Sequence, residues 1–158
     1  MKTLEIEVQI EALQNHWKSQ RYLRLADGLP LSEIAHFEQR NNVCLPADFS
    51  RYLTFANGFK KSEDSSGIDA SDDEGFEFYP LADERLISKR YLVFSGWPNG
   101  FLEYALCVGP RRDIGRVVQI IDKSRGYLLA KTFTDFIGLY LTDSKLLYSP
   151  GAVVVSID

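Results

Sequence analysis

The chain has 158 residues, of which 45% are hydrophobic and 25% charged, an ordinary balance for a soluble globular protein. That length suits one domain of roughly 150 residues and buries about two thirds of the unfolded surface, enough to dispense with disulfide or metal staples. Eighteen Lys and Arg against 22 Asp and Glu give a net charge of −4, which argues against nucleic acid as a direct ligand. The two cysteines, Cys44 and Cys107, are too few for a disulfide framework and stand at no metal-ligand spacing. Both are expected to be small buried hydrophobes in a reducing compartment.

Charges interrupt the apolar residues of the opening Met-Lys-Thr-Leu-Glu-Ile-Glu, so no secretory signal is expected. No run approaches the roughly 18 apolar residues of a membrane span, and no Asn-x-Ser/Thr acceptor occurs. A cytoplasmic protein is the simplest expectation.

Ile6, Ile10, Leu13 and Trp17 fall on one face of a first helix. Residues 23–31, with Asp27-Gly28 and Pro30, read as a loop. Ser32 is the expected N-cap of a second helix whose apolar side carries Ile34 and Phe37, ending near Asn41 and Asn42. In "LPADFSRYLTFANGF", Pro46 suits the first helical turn and Asp48 complements the helix dipole there. Phe49, Tyr52, Leu53 and Ala56 make the buried face, and Gly58 is expected to close the helix in the left-handed conformation. Residues 60–75 lack periodicity and read as an exposed loop.

Beyond them the period changes. Residues 76–79, 91–96, 101–108, 116–122 and 127–131 are rich in aromatic and β-branched side chains, with a short helical turn over 83–89. The connections at Pro98-Asn99-Gly100, Arg111-Arg112-Asp113 and Ser124-Arg125-Gly126 are tight, which permits antiparallel pairing and leaves no room for a crossover helix. Val117, Val118, Ile120 and Ile121 make their strand apolar on both faces, as in a central strand. Thr132 and Asp135 open a last helix as a near capping box, with Phe133, Phe136, Ile137, Tyr140 and Leu141 as its stripe. The tail, residues 143–158, offers "AVVVS" as a further strand that joins the sheet edge or another copy's edge. The order predicts an α+β fold: one domain over residues 1–158, with an antiparallel sheet of five or six strands, N-terminal helices and one C-terminal helix.

A helix running into Leu45, Pro46, Phe49, Leu53, Asn57 and Gly58, then Phe78 and Leu81, then Phe133 and Phe136, resembles the SUKH superfamily over residues 30–142. That superfamily holds the fungal Smi/Knr-type cell-wall assembly regulators and many bacterial toxin-immunity proteins. Its members often carry a glycine shortly before the Leu-Pro, where this chain has Asn41-Asn42, and Asn also tolerates the left-handed region. The resemblance implies a protein-binding domain without catalysis: an immunity protein whose partner is a cognate toxin domain, often a nuclease, or a regulatory interaction module of the Smi/Knr type.

Glu63, Asp64, Asp69, Asp72, Asp73, Glu74 and Glu77 occupy one stretch without a base. Apart from these seven, the chain has 15 acids against 18 bases, so the acidity is local. Such a stretch either steers and holds a basic partner surface or is a solvated loop. It is no EF-hand. Counting from Asp69, Ser71 and Asp73 fit, but Glu74 stands where Gly is needed and Pro80 where the bidentate Glu belongs. Trp97, in a hairpin turn, is the second candidate for partner binding, unless it folds back onto the core. Arg111, Arg112, Arg116, Lys123 and Arg125 make the 110–126 hairpin basic, in the simpler reading as solvated charge. His16 and His36 have no zinc partners, and neither a Gly-x-Ser-x-Gly elbow nor a phosphate loop is present. No catalytic residue, metal or cofactor is expected, and the chain is expected to be a monomer or weak homodimer that touches neither membrane nor nucleic acid.

Overall fold

The computed structural model describes residues 2–19, 25–60, 76–88, 90–97, 102–109, 115–149 and 153–158. The acidic positions Glu63, Asp64, Asp69, Asp72, Asp73 and Glu74 lie outside the described residues, as do Arg111 and Arg112.

Helix α1 (Lys2–Lys18) buries Ile6, Ile10, Leu13 and Trp17, the stripe its periodicity marks. Strand β1 (Leu25–Asp27) corrects the loop expected over 23–31: its three residues pair antiparallel with β2 (Ala56–Phe59). Helix α2 (Leu31–Asn41) begins one residue before Ser32. Its N-cap is Pro30, whose carbonyl accepts from Glu33 and Ile34, so Ser32 lies inside the first turn and caps nothing. At the other end Asn42 adopts φ 53°, ψ 48°, the left-handed conformation that a family glycine would otherwise supply.

Helix α3 (Ala47–Phe55) follows Pro46, which is its N-cap. It buries Phe49, Tyr52 and Leu53 and stops earlier than expected, since Ala56 is already extended. Gly58 is left-handed, at φ +69°, but it lies within β2. There it serves close approach, because a Cβ on Gly58 would fall 2.6 Å from the carbonyl oxygen of Phe78. Asn57 Oδ1 accepts from the Leu81 N–H at 2.8 Å beside it. The Asn-Gly pair therefore seats the next strand, not the helix end.

That strand is β3 (Glu77–Phe78). A 3₁₀ turn (Asp83–Arg85) and β4 (Leu86–Ser88) replace the single helical turn expected over 83–89. Strands β5 (Tyr91–Gly96), β6 (Glu103–Cys107), β7 (Val117–Ile120), β8 (Arg125–Ala130) and β9 (Val154–Ser156) complete the sheet. The order is β3-β5-β6-β7-β8-β9, with β4 also beside β5 and every pair antiparallel. This is one strand more than the sequence suggests, and the extra one is β4. Strand β7 lies inside the sheet with Val117 and Val118 fully buried, and the tail joins the sheet as β9.

Partners directly opposite in a sheet point to the same side. One row therefore runs Phe78, Ser95, Tyr104, Gln119, Tyr127, Val154 across six strands. On this side the sheet packs against α1, α3 and α4 (Phe133–Leu141). Thr132 caps α4 by accepting from Asp135 N–H at 3.0 Å. Asp48 Oδ2 takes the N–H and hydroxyl of Thr134, at 2.9 and 2.8 Å, and so ties the starts of α3 and α4 together. On the opposite side Tyr91, Val93, Ala105, Cys107, Val118 and Ile157 form a second buried cluster. Cys107 belongs to it, but Cys44 is exposed, contrary to expectation, on the short connection between α2 and α3.

The core is aromatic. Phe78, 1% exposed, meets Trp17 and Tyr140 at centroid distances of 5.3 and 5.0 Å and Tyr52, Phe59 and Phe94 at 5.9, 5.8 and 6.2 Å. Trp17 Nε1 donates to the Tyr140 hydroxyl at 2.8 Å and links α1 to α4. Phe78→Ala is expected to cost about 3–5 kcal/mol in urea denaturation, the range for a buried ring that leaves a cavity. At Asn42, replacement by Gly is expected to leave stability unchanged or slightly raised, and replacement by Ala to lower it by about 1 kcal/mol, because only Ala resists the left-handed conformation.

Candidate functional site

The end of the sheet where the acidic stretch runs into β3 brings together the sequence-derived candidates that the described residues include. Glu77 lies opposite Gly96 of β5, and Gly96 lies opposite Glu103 of β6. The two carboxylates thus share one row, on the side away from the helices. Gly96 leaves that row open, since a Cβ there would fall 2.6 Å from the Tyr79 hydroxyl oxygen and 2.7 Å from the Leu102 carbonyl. Tyr79, two residues beyond Glu77, points to the same side, and the Arg85 guanidinium sits 3.8 Å from its ring centroid. Ser95 Oγ donates to the Glu77 carbonyl at 2.9 Å and fixes the short strand β3 in place.

Trp97 follows Gly96 directly and takes the other side of the sheet. Its N–H donates to the Leu102 carbonyl at 2.9 Å. Its ring is half-buried between Phe76 and Tyr148, each at 5.9 Å. It therefore folds back against the core edge and presents only part of its surface. Tyr148 and, two residues before it, Leu146 are 42% and 44% exposed. Their segment is held by the Tyr104 hydroxyl, which donates to the Leu147 carbonyl at 2.7 Å. Glu77 and Trp97 are thus neighbours in space on opposite sides of one strand end.

The phenols here are perturbed. Burial pushes Tyr79 up to about 12; the Glu103 and Glu77 carboxylates add to the rise and Arg85 opposes it. Burial likewise pushes Tyr104 up to about 12. The buried Trp97 indole nitrogen finds no aligned acceptor, although it lies near enough to the Tyr104 hydroxyl to temper that rise. Tyr148 is raised by burial and by the hydrogen bond it donates to Asp143 Oδ1 at 2.7 Å. None of these groups is arranged as nucleophile and base. Among the described residues, no group of three His, Cys, Asp or Glu side chains could hold a metal ion. The corner can offer carboxylate charge and aromatic surface to a partner.

Two arginines of the basic hairpin are bonded within the fold. Arg116 Nε donates to the Tyr91 hydroxyl at 2.7 Å. Arg125 holds Asp122 at 2.6 and 2.9 Å and, with the Ser124 N–H, lowers its pKa to about 2. Lys123 is exposed.

Sequence reading missed Glu103, Tyr79, Arg85 and Tyr148. Alternation along β3 signals Tyr79 as a same-side neighbour of Glu77. The others come close only through strand register and the placement of the 3₁₀ turn at Lys145–Leu147.

An antiparallel sheet packed against helices defines a domain of the α+β class. Residues 28–138 match the SMI1 / KNR4 family (SUKH-1), and the chain belongs to that family. Members are generally non-catalytic, and membership supports a protein-interaction role of the immunity or Smi/Knr type. No curated protein matches the sequence significantly. Among the described residues no helix is long and apolar enough to cross a membrane.

A phenol whose pKa is raised on folding contributes stability in full below its unfolded value of 10.0, and loses it as pH rises through about 12. Stability to urea is accordingly expected to fall across that window. Tyr79→Phe, which removes one titration, should flatten the fall, and an unchanged slope would show that Tyr79 ionises as freely in the folded chain as in the unfolded one.

Proposed function

We propose that the chain is an immunity-type protein of the cytoplasm that binds a cognate toxin domain and blocks it by steric and electrostatic occlusion, with residues 1–158 acting as one binding unit. It performs no chemistry and carries no cofactor. The observation behind this reading is the run of seven carboxylates at Glu63, Asp64, Asp69, Asp72, Asp73, Glu74 and Glu77 without an intervening base. The last of them shares a row with Glu103 across Gly96 and lies next to the Trp97 corner. A nuclease toxin fits such a surface, because its phosphate-binding groove is basic by necessity. Carboxylates presented to that groove speed capture and occupy the place of the nucleic-acid backbone. Trp97 and Tyr148 supply the aromatic surface that interfaces favour near their centres. The partner is protein, with neither nucleic acid nor membrane bound directly.

The second reading is a regulatory module of the Smi/Knr type, favoured by the family match itself. Such a module captures several weaker partners from an unchallenged cell. An immunity protein has one tight partner and matters only when the toxin is present.

Co-expression with the open reading frame immediately upstream, followed by pull-down, separates the two. The immunity reading requires a neighbour that kills alone, is rescued by this chain and co-purifies with it. A harmless or non-binding neighbour moves the regulatory reading ahead. Once the partner is in hand, changing Asp69, Asp72 and Asp73 to Asn and Glu74 to Gln is expected to slow association about tenfold at low salt and flatten its salt dependence. An unchanged association rate would remove the acidic stretch from the interface.

A further inference from the structure

Strand β9 ends the sheet, and among the described residues nothing pairs with its outer side. Its backbone directions follow from two hydrogen bonds. Leu128 N–H donates to the Val153 carbonyl and Ile157 N–H to the Ser124 carbonyl, both at 2.9 Å. In an antiparallel ladder the inward-facing residues alternate with outward-facing ones. Val153, Val155 and Ile157 therefore turn their backbone groups to β8, and Val154 and Ser156 turn theirs outward. Natural edge strands are blunted by charges, proline or bulges. The run Val153, Val154, Val155, Ser156, Ile157 has no charge and no proline, its pairing with β8 keeps one register, and Val153 and Val154 are 58% and 47% exposed.

We propose that β9 is a self-association edge, pairing antiparallel with β9 of a second copy about a two-fold axis at Val155. This register alone sets Val154 of each copy against Ser156 of the other, so the outward N–H and C=O groups of both residues are satisfied across the axis. Val155 faces its own symmetry mate at the closer, non-hydrogen-bonded spacing, and Val153 faces Ile157 of the second copy, apolar against apolar. The carboxylate that follows the run, Asp158, stays away from its mate. The two are offset by six residues along the strands, about 20 Å at roughly 3.3 Å per residue, more than twice the Debye length of about 8 Å at physiological salt. Both main sheets then continue as one across the axis. The edge is short, which makes the dimer concentration-dependent and weaker than a standard-size interface.

Sedimentation velocity on the full chain over a wide concentration range tests this. The expected result is a reversible monomer–dimer equilibrium. Val154→Pro removes only an outward N–H, a change that edge strands tolerate. It is expected to weaken the dimer roughly thirtyfold, the worth of two symmetry-related hydrogen bonds, with native circular dichroism kept. In a Cys44→Ser background, which removes the exposed native thiol, Val155→Cys is expected to form a disulfide-linked dimer on mild oxidation and Val154→Cys is not. A monomer at every concentration, a dimer indifferent to Val154→Pro, or cross-linking through position 154 in preference to 155 would each overturn the proposal.

Discussion

Burial of the Phe78 ring is the constraint that orders the rest of the molecule. Phe78 belongs to a strand of two residues, too short to be held by its own ladder bonds, yet it is 1% exposed. Rings reach it from α1 (Trp17), α3 (Tyr52), β2 (Phe59), β5 (Phe94) and α4 (Phe136 and Tyr140). Most of these pairs are edge-on or tilted, the geometry that aromatic quadrupoles prefer. Every layer of the fold has a stake in the same few cubic ångströms. Gly58 is part of that arrangement, because only a residue without Cβ lets β2 lie against the backbone of Phe78 and Tyr79.

Polar ties set the angles at which the layers meet. Asp48 joins two helix starts through Thr134, Trp17 joins α1 to α4 through Tyr140, and Tyr104 holds the segment after α4 through the Leu147 carbonyl. Each tie is partly or wholly buried, where a lost partner costs more than the bond is worth in water. The Arg40 pair with Asp83, reinforced by Asn41 Nδ2 at 3.0 Å, lies on the surface and contributes far less. The corner that carries Glu77 and Trp97 inherits its precision from the buried ties. Glu77 and Trp97 are placed by β3 and β5, and β3 is placed by Phe78.

What could be read from the chain was what its periodicity states directly. Helices α1, α3 and α4 announce themselves because their buried residues recur every three or four positions, and the meander because its connections are too short for crossovers. Strand β4 hid behind the charges of Asp83, Glu84 and Arg85, which look helical over one turn. Strand β1 hid because three residues beside Asp27-Gly28 carry no pattern long enough to register. Gly58 was placed in the right conformation for the wrong purpose: left-handed glycine serves a helix end and a close backbone approach equally well, and only the packed structure distinguishes them. At the site, Glu77 and Trp97 were legible as residues, but their meeting at one strand end depends on the Glu77–Gly96 register. The part played by Tyr148 depends on tertiary contact, which a linear pattern does not encode.

The arrangement around Phe78 also bears on how the chain folds. Its ring partners are drawn from residues 17 to 140 of the chain, so almost no local stretch can cover it. Contacts this distant along the chain carry a loop-closure cost before they return any stabilisation, which slows folding relative to helical proteins of similar size. During synthesis Trp17, Tyr52 and Phe59 are already made when Phe78 emerges, but Phe136 and Tyr140 are not. The core closes only when α4 arrives with Phe136 and Tyr140. Until then the ring, at the border of a highly charged stretch, lacks the contacts that α4 brings, so a chain cut short before α4 would leave its most widely shared core residue partly open to water.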